Sequence, residues 1–426
     1  MGFGQGLSGL NASSQNLDVI GNNIANSGTV GFKSGSATFA DVYASSRVGL
    51  GVQVASINQR FTTGIVSTSG NQFDMAIDGA KGLFVVQQPN GAKLYTRNGQ
   101  FLADKDHKIV NAQGQQLMGY APGGTNLIGM TVPVGNIAPQ ATSTLTNKVN
   151  VDSNAPVINE TTRPFDPNDG QSFSKMTPLT VYDTLGNEHT VEQYYVKRAV
   201  TGAAPNEVNN WDVYVKVDGN IVNAGTGAIE PPPVPPAVVT ANFYTPARKL
   251  EFDKEGRLDP TTASYTLNYL VPVAGGAAAE PLAIAVNYGG STQFGGSYSQ
   301  DFVQNGYATG EYASMSIGSN GELIANYTNG AKQTMGQLAL ADFANLQGLQ
   351  PVGGNAWAET ANSGQPIYGT PGSNGLAVIK GQAIEESNVD MSQELVNMII
   401  AQRTYQANAQ TIKTQDQILQ TLITMR

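Results

Sequence analysis

The sequence has 426 residues, a net charge of −9 and no cysteine, so disulfide bonds, thiolate nucleophiles and thiolate metal ligands are excluded. Charged residues make up 13 % of the chain, whereas about 25 % is usual for soluble proteins. The low charge and the lack of any Lys or Arg block argue against binding to nucleic acid. No apolar run reaches the roughly 18 residues of a membrane span, and the N-terminus lacks a signal-peptide pattern. We therefore expect no membrane insertion and, for an exported protein, a route without a cleaved signal.

The first predicted element is a helix that begins near Leu7. Its apolar positions alternate in steps of three and four residues, as in a weak coiled-coil seam. The residues of this seam are Leu7, Leu10, Ser14, Leu17, Gly21 and Ile24. Three glycines, Gly6, Gly9 and Gly21, each lower the helix propensity by about 1 kcal/mol relative to alanine. Alone, this helix should be marginal in water.

The segment NNIANSGTVGFK, residues 22–33, should end this first helix. Asparagine tolerates the left-handed backbone conformation, and we expect Gly28 and Gly31 to adopt positive φ angles. The asparagines predicted to end the helix are Asn22, Asn23 and Asn26.

Between its two ends the sequence predicts mainly β-structure. All 21 prolines lie between Pro89 and Pro371, and short apolar runs alternate there with Asn-Gly pairs that predict hairpins. The asparagines of these pairs are Asn90, Asn98, Asn320 and Asn329. The composition suggests two β domains, with the second inserted in the first.

The last predicted element is a long helix that begins at Met391. Its seam residues recur in steps of four and three over more than four heptads. They are Met391, Leu395, Met398, Gln402, Tyr405, Ala409, Ile412, Asp416, Leu419 and Ile423. Asp390 and Gln393 have the spacing of a capping box. Since neither terminal helix can bury its seam alone, we expect a helix pair or a multi-chain assembly; an ordinary amphipathic helix on its own domain is the alternative.

The sequence offers no recognisable catalytic set. Its two histidines, His107 and His189, lie in DKDHK and LGNEH, contexts that favour solvated turns over catalysis. No spacing typical of a calcium loop or a phosphate-binding loop occurs. We therefore expect no enzymatic activity, no cofactor and no metal.

Both terminal segments resemble the bacterial flagellar rod and hook family. The matching segments are NNIANSGTVGFK and GQAIEESNVDMSQELVNMIIAQRTYQANAQTIKTQDQILQTLI, the latter at residues 381–423. The resemblance adds these candidate assembly residues: Gly31, Phe32, Lys33, Asn388, Asp390, Arg403 and Asn408. It implies that Phe32 is an anchor and Lys33 a charge for a partner near the core. By themselves, the residues also fit an ordinary helix C-cap with a buried aromatic ring.

The resemblance implies a multidomain chain with a terminal α-helical coiled coil and two mainly-β domains, the second inserted in the first. The size of the insert is similar to that of the longer hook members of the family. The expected boundaries are 1–30 and 381–426 for the terminal helices of an inner coiled-coil core, 31–70 and 361–380 for linkers, 71–145 and 299–360 for the first β domain, and 146–298 for the inserted outer β domain.

By resemblance, the chain is a structural subunit that assembles with copies of itself into a curved, flexible tube. Such a tube joins the rod of the flagellar motor to the filament, transmits torque and encloses the export channel. The implied partners are the distal rod, hook-cap and hook–filament junction proteins and the export apparatus, and the implied location is extracellular. A distal rod subunit of the same family and a secreted β-rich polysaccharide-binding protein are the alternatives.

Overall fold

The structure is a computed structural model that describes residues 3–42, 49–133, 135–203, 207–231, 244–270 and 280–424. The chain divides into two compact units. The first unit comprises Met1–Val134, Tyr312–Asn326 and Lys332–Arg426, and the second comprises Gly135–Glu311 and Tyr327–Ala331. Most of the regular structure in both units is β-strand.

The first unit contains the two helices of the described residues. Helix α1 spans Phe3–Ala25 and helix α2 spans Met391–Thr424, so a helix is present at each place where the sequence predicts one. Asp390 caps α2, because its carboxylate accepts a hydrogen bond of 3.1 Å from the backbone N–H of Gln393. The Gln393 side chain donates to Asn397 instead of turning back to Asp390, so only half of the capping box forms.

The strands follow one another in chain order. The first segment of the first unit contains β1 (Gly35–Val42), β2 (Gly51–Gln59), β3 (Val66–Thr68), β4 (Met75–Asp78), β5 (Leu83–Gln87), β6 (Lys93–Thr96), β7 (Phe101–Ala103), β8 (Ile109–Asn111), β9 (Gln116–Tyr120) and β10 (Leu127–Gly129). The second unit contains β11 (Thr144–Asn150), β12 (Lys175–Tyr182), β13 (Glu188–Lys197), β14 (Asn209–Val217), β15 (Asn220–Val222), β16 (Ile229–Glu230), β17 (Arg248–Phe252), β18 (Ser264–Tyr269), β19 (Leu282–Asn287) and β20 (Ser299–Gln304). The chain then continues with β21 (Tyr312–Ile317), β22 (Glu322–Tyr327), β23 (Lys332–Leu338), β24 (Leu340–Asp342), a 3-10 turn (Leu346–Gly348), β25 (Gln350–Gly353), β26 (Ala356–Ala358), β27 (Ile367–Gly369), β28 (Val378–Gly381) and β29 (Ala383–Glu385).

A large antiparallel sheet forms the body of the first unit. Its main path runs β21-β22-β23-β9-β5-β6-β26-β25. Strand β5 is buried on both faces: Phe84 and Val86 pack into one apolar cluster, and Leu83 and Val85 pack into another. This double burial explains why the strand reads as a continuous apolar run. Three two-stranded ribbons, β1–β2, β4–β28 and β3–β29, complete the strand pairing of this unit.

Of the hairpins predicted at Asn90 and Asn98, the first forms and the second does not. Asn90 and Gly91 form a hairpin between β5 and β6, with a φ angle of +90° at Gly91. The hairpin predicted at Asn98 and Gly99 is wrong, because β6 pairs with β5 and β26 whereas β7 pairs with β8. Gly99 instead lies directly against the backbone of Met75. Its carbonyl accepts a hydrogen bond of 2.9 Å from Met75 N–H, and a Cβ at Gly99 would overlap the Met75 carbonyl.

The second unit consists of two sheets that share one apolar core. One sheet has the order β18-β19-β11-β20, and the other has the order β12-β13-β14-β15-β16 with β17 added beside β14. Strands β11 and β19 are parallel, whereas the other named pairs are antiparallel. The core cluster contains Leu145 and Ile284 from the first sheet and Val191 and Val213 from the second. The two sheets therefore pack face to face.

The two histidines lie in different environments. His107 is exposed in the turn between β7 and β8, as predicted. His189 is buried in β13, and its Nδ1 lies 2.6 Å from an Asp218 oxygen while its Nε2 lies 3.4 Å from Asp183. The prediction of a solvated His189 is therefore wrong, because strand pairing brings the two carboxylates against the ring.

Candidate functional site

The two terminal helices pack against each other through glycines on α1. A Cβ atom on Gly9 would lie 2.9 Å from the side-chain nitrogen of Asn408, and one on Gly6 would lie 3.0 Å from Ile412. These distances are shorter than ordinary van der Waals contact. Gly6 and Gly9, two of the three glycines that weaken α1 as an isolated helix, therefore allow α2 to approach its backbone closely.

The face of each helix that is buried differs from its predicted seam by one residue. On α1 the buried residues include Gly6, Gly9, Ser13, Ile20 and Asn23, each one position before a member of the predicted seam. Among the described side chains of α2, Glu394 and Ala401 are buried, and each again stands one position before a predicted seam residue. One residue is a rotation of about 100° around a helix.

Part of the predicted seam of α2 consequently points away from α1, although the seam residue Ile412 lies against Gly6. Leu395 is 46 % exposed, Tyr405 is 37 % exposed and Leu419 is 52 % exposed. The sequence left a helix pair or a multi-chain assembly open for these seams, and the chain's own helix pair leaves these three residues exposed. The contact lies at the small residues of α1, because they permit the closest approach. Ile412 of α2 faces Gly6 there, whereas Leu395, Tyr405 and Leu419 are left outward.

The predicted site residues span all degrees of burial. Those exposed are Leu7, Asn22, Asp390, Leu395, Gln402, Arg403, Tyr405 and Leu419. Those half-buried are Leu10, Leu17, Ile24, Asn26, Phe32, Asn388, Met398, Asn408 and Ile412. Those buried are Asn23, Gly31 and Lys33.

The asparagine-rich segment ends α1 through side-chain hydrogen bonds. Asn26 donates to the backbone carbonyl and the side-chain oxygen of Asn22 at 3.0 and 2.9 Å. Asn23 bonds both the N–H and the carbonyl of Gly35 at 2.8 Å, which fixes the start of β1 against the helix. Gly31 has a φ angle of +71°, whereas Gly28 does not adopt the positive φ that we expected.

The two family-like motifs meet around Glu385. We call this cluster the Glu385 junction and define it as Gly31, Lys33, Arg97, Glu385 and Asn388. The Glu385 carboxylate lies 2.5 Å from Lys33 Nζ and 3.1 Å from an Arg97 nitrogen, and its side chain and that of Lys33 have no exposed surface. The Gly31 N–H donates to the Glu385 carbonyl at 2.8 Å.

Lys33 is therefore paired within the chain, and its predicted role as a charge for a partner is corrected. Its Nζ also donates to the Thr62 carbonyl at 2.7 Å. Burial lowers the pKa of Lys33, and the neighbouring Glu385 carboxylate opposes that shift. Burial likewise lowers the pKa of Arg97 against the same carboxylate. The Lys33 side chain points inward, where Glu385 at the end of β29 places its carboxylate beside the Lys33 ammonium group.

Asn388, just before α2, bonds to two other segments: the one after α1 and the one after β2. Its side-chain oxygen accepts from Ser34 N–H at 2.7 Å, and its nitrogen donates to the Arg60 carbonyl at 2.7 Å and to the Thr62 hydroxyl at 3.0 Å. This one amide thus satisfies backbone groups of two segments.

Sequence reasoning missed two members of the junction, Glu385 and Arg97. Glu385 belongs to the same EESNVD segment as Asn388, so the motif itself was the available signal. Arg97 lies after β6, and only the fold brings it to Glu385; it also donates to the carbonyls of Gly79 and Ala80 at 2.9 and 2.7 Å.

Metal-binding groups and membrane-spanning helices were sought in the described ranges. Within them, no group of three or more His, Asp or Glu side chains is arranged to hold a metal ion. Among the described helices, none combines the length and apolar character that crossing a membrane requires.

Family comparisons define the class of protein. The model of the flagella basal body rod protein matches residues 5–33, and that of the flagellar basal body rod FlgEFG protein C-terminal matches 380–425. The flagellar hook protein FlgE/F/G D1 domain matches 76–158, and the flagellar basal body protein FlaE D2 domain matches 150–307. The chain is therefore a structural protein of the bacterial flagellum.

Full-length relatives narrow this class to one family. The flagellar hook protein FlgE of Salmonella typhimurium is 41 % identical over 434 residues, and that of Escherichia coli is 41 % identical over 436 residues, with 100 % of each chain covered. The same protein of Borreliella burgdorferi is 30 % identical over 468 residues, covering 99 % of this chain and 98 % of the relative. The chain belongs to the flagellar hook protein family and is a structural subunit of the hook, as its sequence predicts.

A solved structure shares the fold. The crystal structure of the Helicobacter pylori flagellar hook protein FlgE2 matches with a TM-score of 0.52 at 14 % identity, covering 76 % of this chain and 100 % of that one.

Proposed function

We propose that this hook subunit polymerises through its terminal helices, which form an inner coiled-coil layer around an export channel while the β-rich parts lie outside. The tube so formed is curved and flexible and transmits torque from rod to filament. The observation that carries the proposal is the exposure of most of the large apolar residues of α2. Large apolar residues that face away from their own chain have nothing in that chain to pack against. The helices of further copies can provide the surface that covers them.

The exposed apolar residues of α2 extend along its whole length. They are Met391, Leu395, Val396, Ile399, Ile400, Tyr405, Ile418, Leu419 and Ile423. The polar seam residues Gln402 and Asp416 would set the register of the helices, as polar residues do in coiled coils. The charged content of 13 % favours close contacts between copies, because little electrostatic repulsion opposes them.

The expected division of the chain becomes part of this proposal. Residues 1–30 and 381–426 form the inner core, 31–70 and 361–380 link it to the first β domain at 71–145 and 299–360, and 146–298 form the inserted outer domain. The compactness of Gly135–Glu311 as a separate unit supports an insert of this size.

The proposed partners are further copies of this chain, the distal rod, the hook cap, the hook–filament junction proteins and the export apparatus. We place the assembled protein outside the cell and propose export without a cleaved signal. We propose no enzymatic activity. Similarity to hook proteins over the full chain supports these assignments.

Electron microscopy of negatively stained samples tests the proposal. The full chain, polymerised by salt, should form curved hollow tubes, and a chain that lacks residues 1–30 and 391–426 should form none. A full chain that stays monomeric with protease-resistant ends would place the helices in a closed domain and overturn polymerisation through them.

A further inference from the structure

Asparagine is followed directly by glycine at six positions, and each such pair can react without an enzyme. The backbone nitrogen of the glycine attacks the side-chain carbonyl carbon of the asparagine, the bond from that carbon to Nδ2 breaks, and Nδ2 leaves as ammonia with the proton of the glycine N–H. Water then opens the succinimide ring to aspartate or isoaspartate, and nothing is oxidised or reduced. The asparagines of the six pairs are Asn90, Asn98, Asn305, Asn320, Asn329 and Asn374.

Three of the pairs have a glycine that is packed against other parts of the chain. A Cβ atom added at each of these glycines would overlap an atom of Met75, Thr142 or Pro371. Ring closure draws the glycine nitrogen toward the asparagine side chain, so the backbone has to shift, and close packing opposes that shift. These three pairs should therefore react slowly. The buried glycines are Gly99, Gly306 and Gly321.

In two further pairs a turn hydrogen bond holds the attacking nitrogen. The glycine is the fourth residue of a four-residue turn in each, and the N–H of the fourth residue closes such a turn. The Gly91 N–H donates to the Gln88 carbonyl at 2.9 Å. The Gly330 N–H likewise donates to the Tyr327 carbonyl at 3.0 Å. In both pairs the nitrogen has to leave this bond before it can attack.

The turn at Asn374, between β27 and β28, places its glycine differently. The Leu376 N–H closes this turn by donating to the Ser373 carbonyl at 2.8 Å, so Gly375 is the third residue and its N–H is not used. The φ angles are +51° at Asn374 and +76° at Gly375, and both residues are exposed. Within the part of the chain that the structure describes, neither the Gly375 N–H nor the Asn374 side chain makes a hydrogen bond. No atom lies within 4 Å of a Cβ added at Gly375.

We propose that Asn374 is the site of spontaneous deamidation in the folded chain and that the fold protects the other five Asn-Gly pairs. The structure describes all six pairs. Only at Asn374 does a glycine nitrogen without a hydrogen bond coincide with a side chain without a partner and with room for the backbone to move. The product carries one more negative charge than the parent chain. As isoaspartate, it also adds a carbon to the backbone of the loop that enters β28.

Peptide mapping by mass spectrometry tests the proposal on the full chain. The monomer is incubated in mildly alkaline buffer, below its unfolding temperature. Samples taken over time are digested in acid, where the glycine nitrogen keeps its proton and the reaction stops. The amide, aspartate and isoaspartate forms of each pair are then quantified. We expect deamidation at Asn374 to be at least about tenfold faster than at any other pair. A smaller ratio, or a faster reaction at another pair, would overturn the proposal.

The same chain in concentrated urea is the control for the role of the fold. Unfolding removes both the packing and the turn hydrogen bonds, so the six pairs should react at rates within about threefold of one another. If Asn374 kept its lead in urea, its neighbours in the sequence would cause the fast reaction. The turn at Gly375 would then not be the reason, and the proposal would fail.

Two matched variants provide a second readout, the ammonia that is released. Aspartate tolerates the same backbone conformation as asparagine but has no amide nitrogen. Asn374→Asp should abolish the fast phase of ammonia release, whereas Asn90→Asp, at another exposed turn, should keep it. A fast phase that persists in Asn374→Asp would place the reactive amide elsewhere and overturn the assignment.

Discussion

Asn388 and Ser34 are 354 residues apart in the sequence, and a hydrogen bond of 2.7 Å joins the Asn388 side-chain oxygen to the Ser34 N–H. Ser34 directly follows the GFK triplet, and Asn388 stands two residues before the N-cap of α2. The contact therefore binds the exit of one terminal helix to the entrance of the other. It explains why two distant motifs act as one structural element.

Replacing Asn388 by Ala should destabilise this contact. The change leaves the buried Ser34 N–H and the Arg60 carbonyl without their partner, which should cost about 1–3 kcal/mol in the free energy of unfolding. Chemical denaturation measures the loss. Asn362→Ala, at an exposed position, is the control and should stay within about 0.5 kcal/mol of the parent chain. Equal effects of the two changes would contradict the role of Asn388.

Glu385→Gln should lower the free energy of unfolding more than Lys33→Met does. The first change removes the carboxylate that both buried cations, Lys33 and Arg97, contact, and breaking a buried ion pair in this way typically costs about 3–5 kcal/mol. The second leaves Arg97 and Glu385 paired at 3.1 Å and removes the costly burial of a lysine charge. Denaturation of both variants at neutral pH gives the comparison, and a larger loss in Lys33→Met would refute this account of the charges.

Gly9→Val should weaken the contact between α1 and α2. Its side chain would enter the space held by Asn408, where even a Cβ lies 2.9 Å from the nearest atoms, and overpacking of this kind costs about 1–3 kcal/mol. Hydrogen exchange of the α1 amides reports the change. Gly21→Ala is the matched control, because no atom lies within 4 Å of the added Cβ, and it should stabilise α1 by up to about 1 kcal/mol.

Leu419→Glu should separate assembly from folding. Leu419 is 52 % exposed in the single chain, so the free energy of unfolding should change by no more than about 0.5 kcal/mol. Tube formation should nevertheless be lost, since a charge would lie in the proposed apolar contact between copies. The control is Gln417→Glu, an exposed position on another face of α2, which should still form tubes. Normal tubes from Leu419→Glu would exclude this seam from the assembly.

The second unit should lose stability in acid through Asp183. Burial by itself raises the pKa of this carboxyl, but hydrogen bonds from Asn187, His189 and the Leu185 N–H outweigh that effect and hold the pKa below its ordinary value of 3.8. A carboxyl with a depressed pKa in the folded state stabilises the fold above its unfolded-state pKa, and this contribution disappears as the pH falls through the folded-state pKa.

We therefore expect the free energy of unfolding to fall below about pH 3.8 and expect Asp183→Asn to make that fall less steep. Thermal unfolding followed between pH 2 and pH 5, roughly one to two units on each side of an ordinary Asp pKa, measures the slope. Asn187→Ala removes one of the donors and should reduce the slope in part. An unchanged slope in Asp183→Asn would show that other groups cause the acid sensitivity.

Sequence periodicity located both helices but identified only part of the faces that are in contact: the seam residue Ile412 lies against Gly6, whereas Leu395 and Leu419 are exposed. A heptad pattern weights large apolar residues, and so it selected Leu395 and Leu419. The folded chain instead brings Gly9 against Asn408, because two helices approach most closely where side chains are smallest. Likewise, a turn pattern predicted a hairpin at Asn98, whereas long-range strand pairing gives Gly99 a different role beside Met75.

By itself, the sequence determined the family, the two terminal helices, the β-rich middle and the segment that ends the first helix, since these depend on local motifs and local backbone preferences. Only the tertiary structure decided that Lys33, Arg97 and Glu385 form one buried cluster and that Leu395, Tyr405 and Leu419 of α2 face outward. Contacts between residues hundreds of positions apart depend on how strands pair, and no local pattern encodes that pairing. The charge of Lys33 could therefore be read from the chain, but its partner could not.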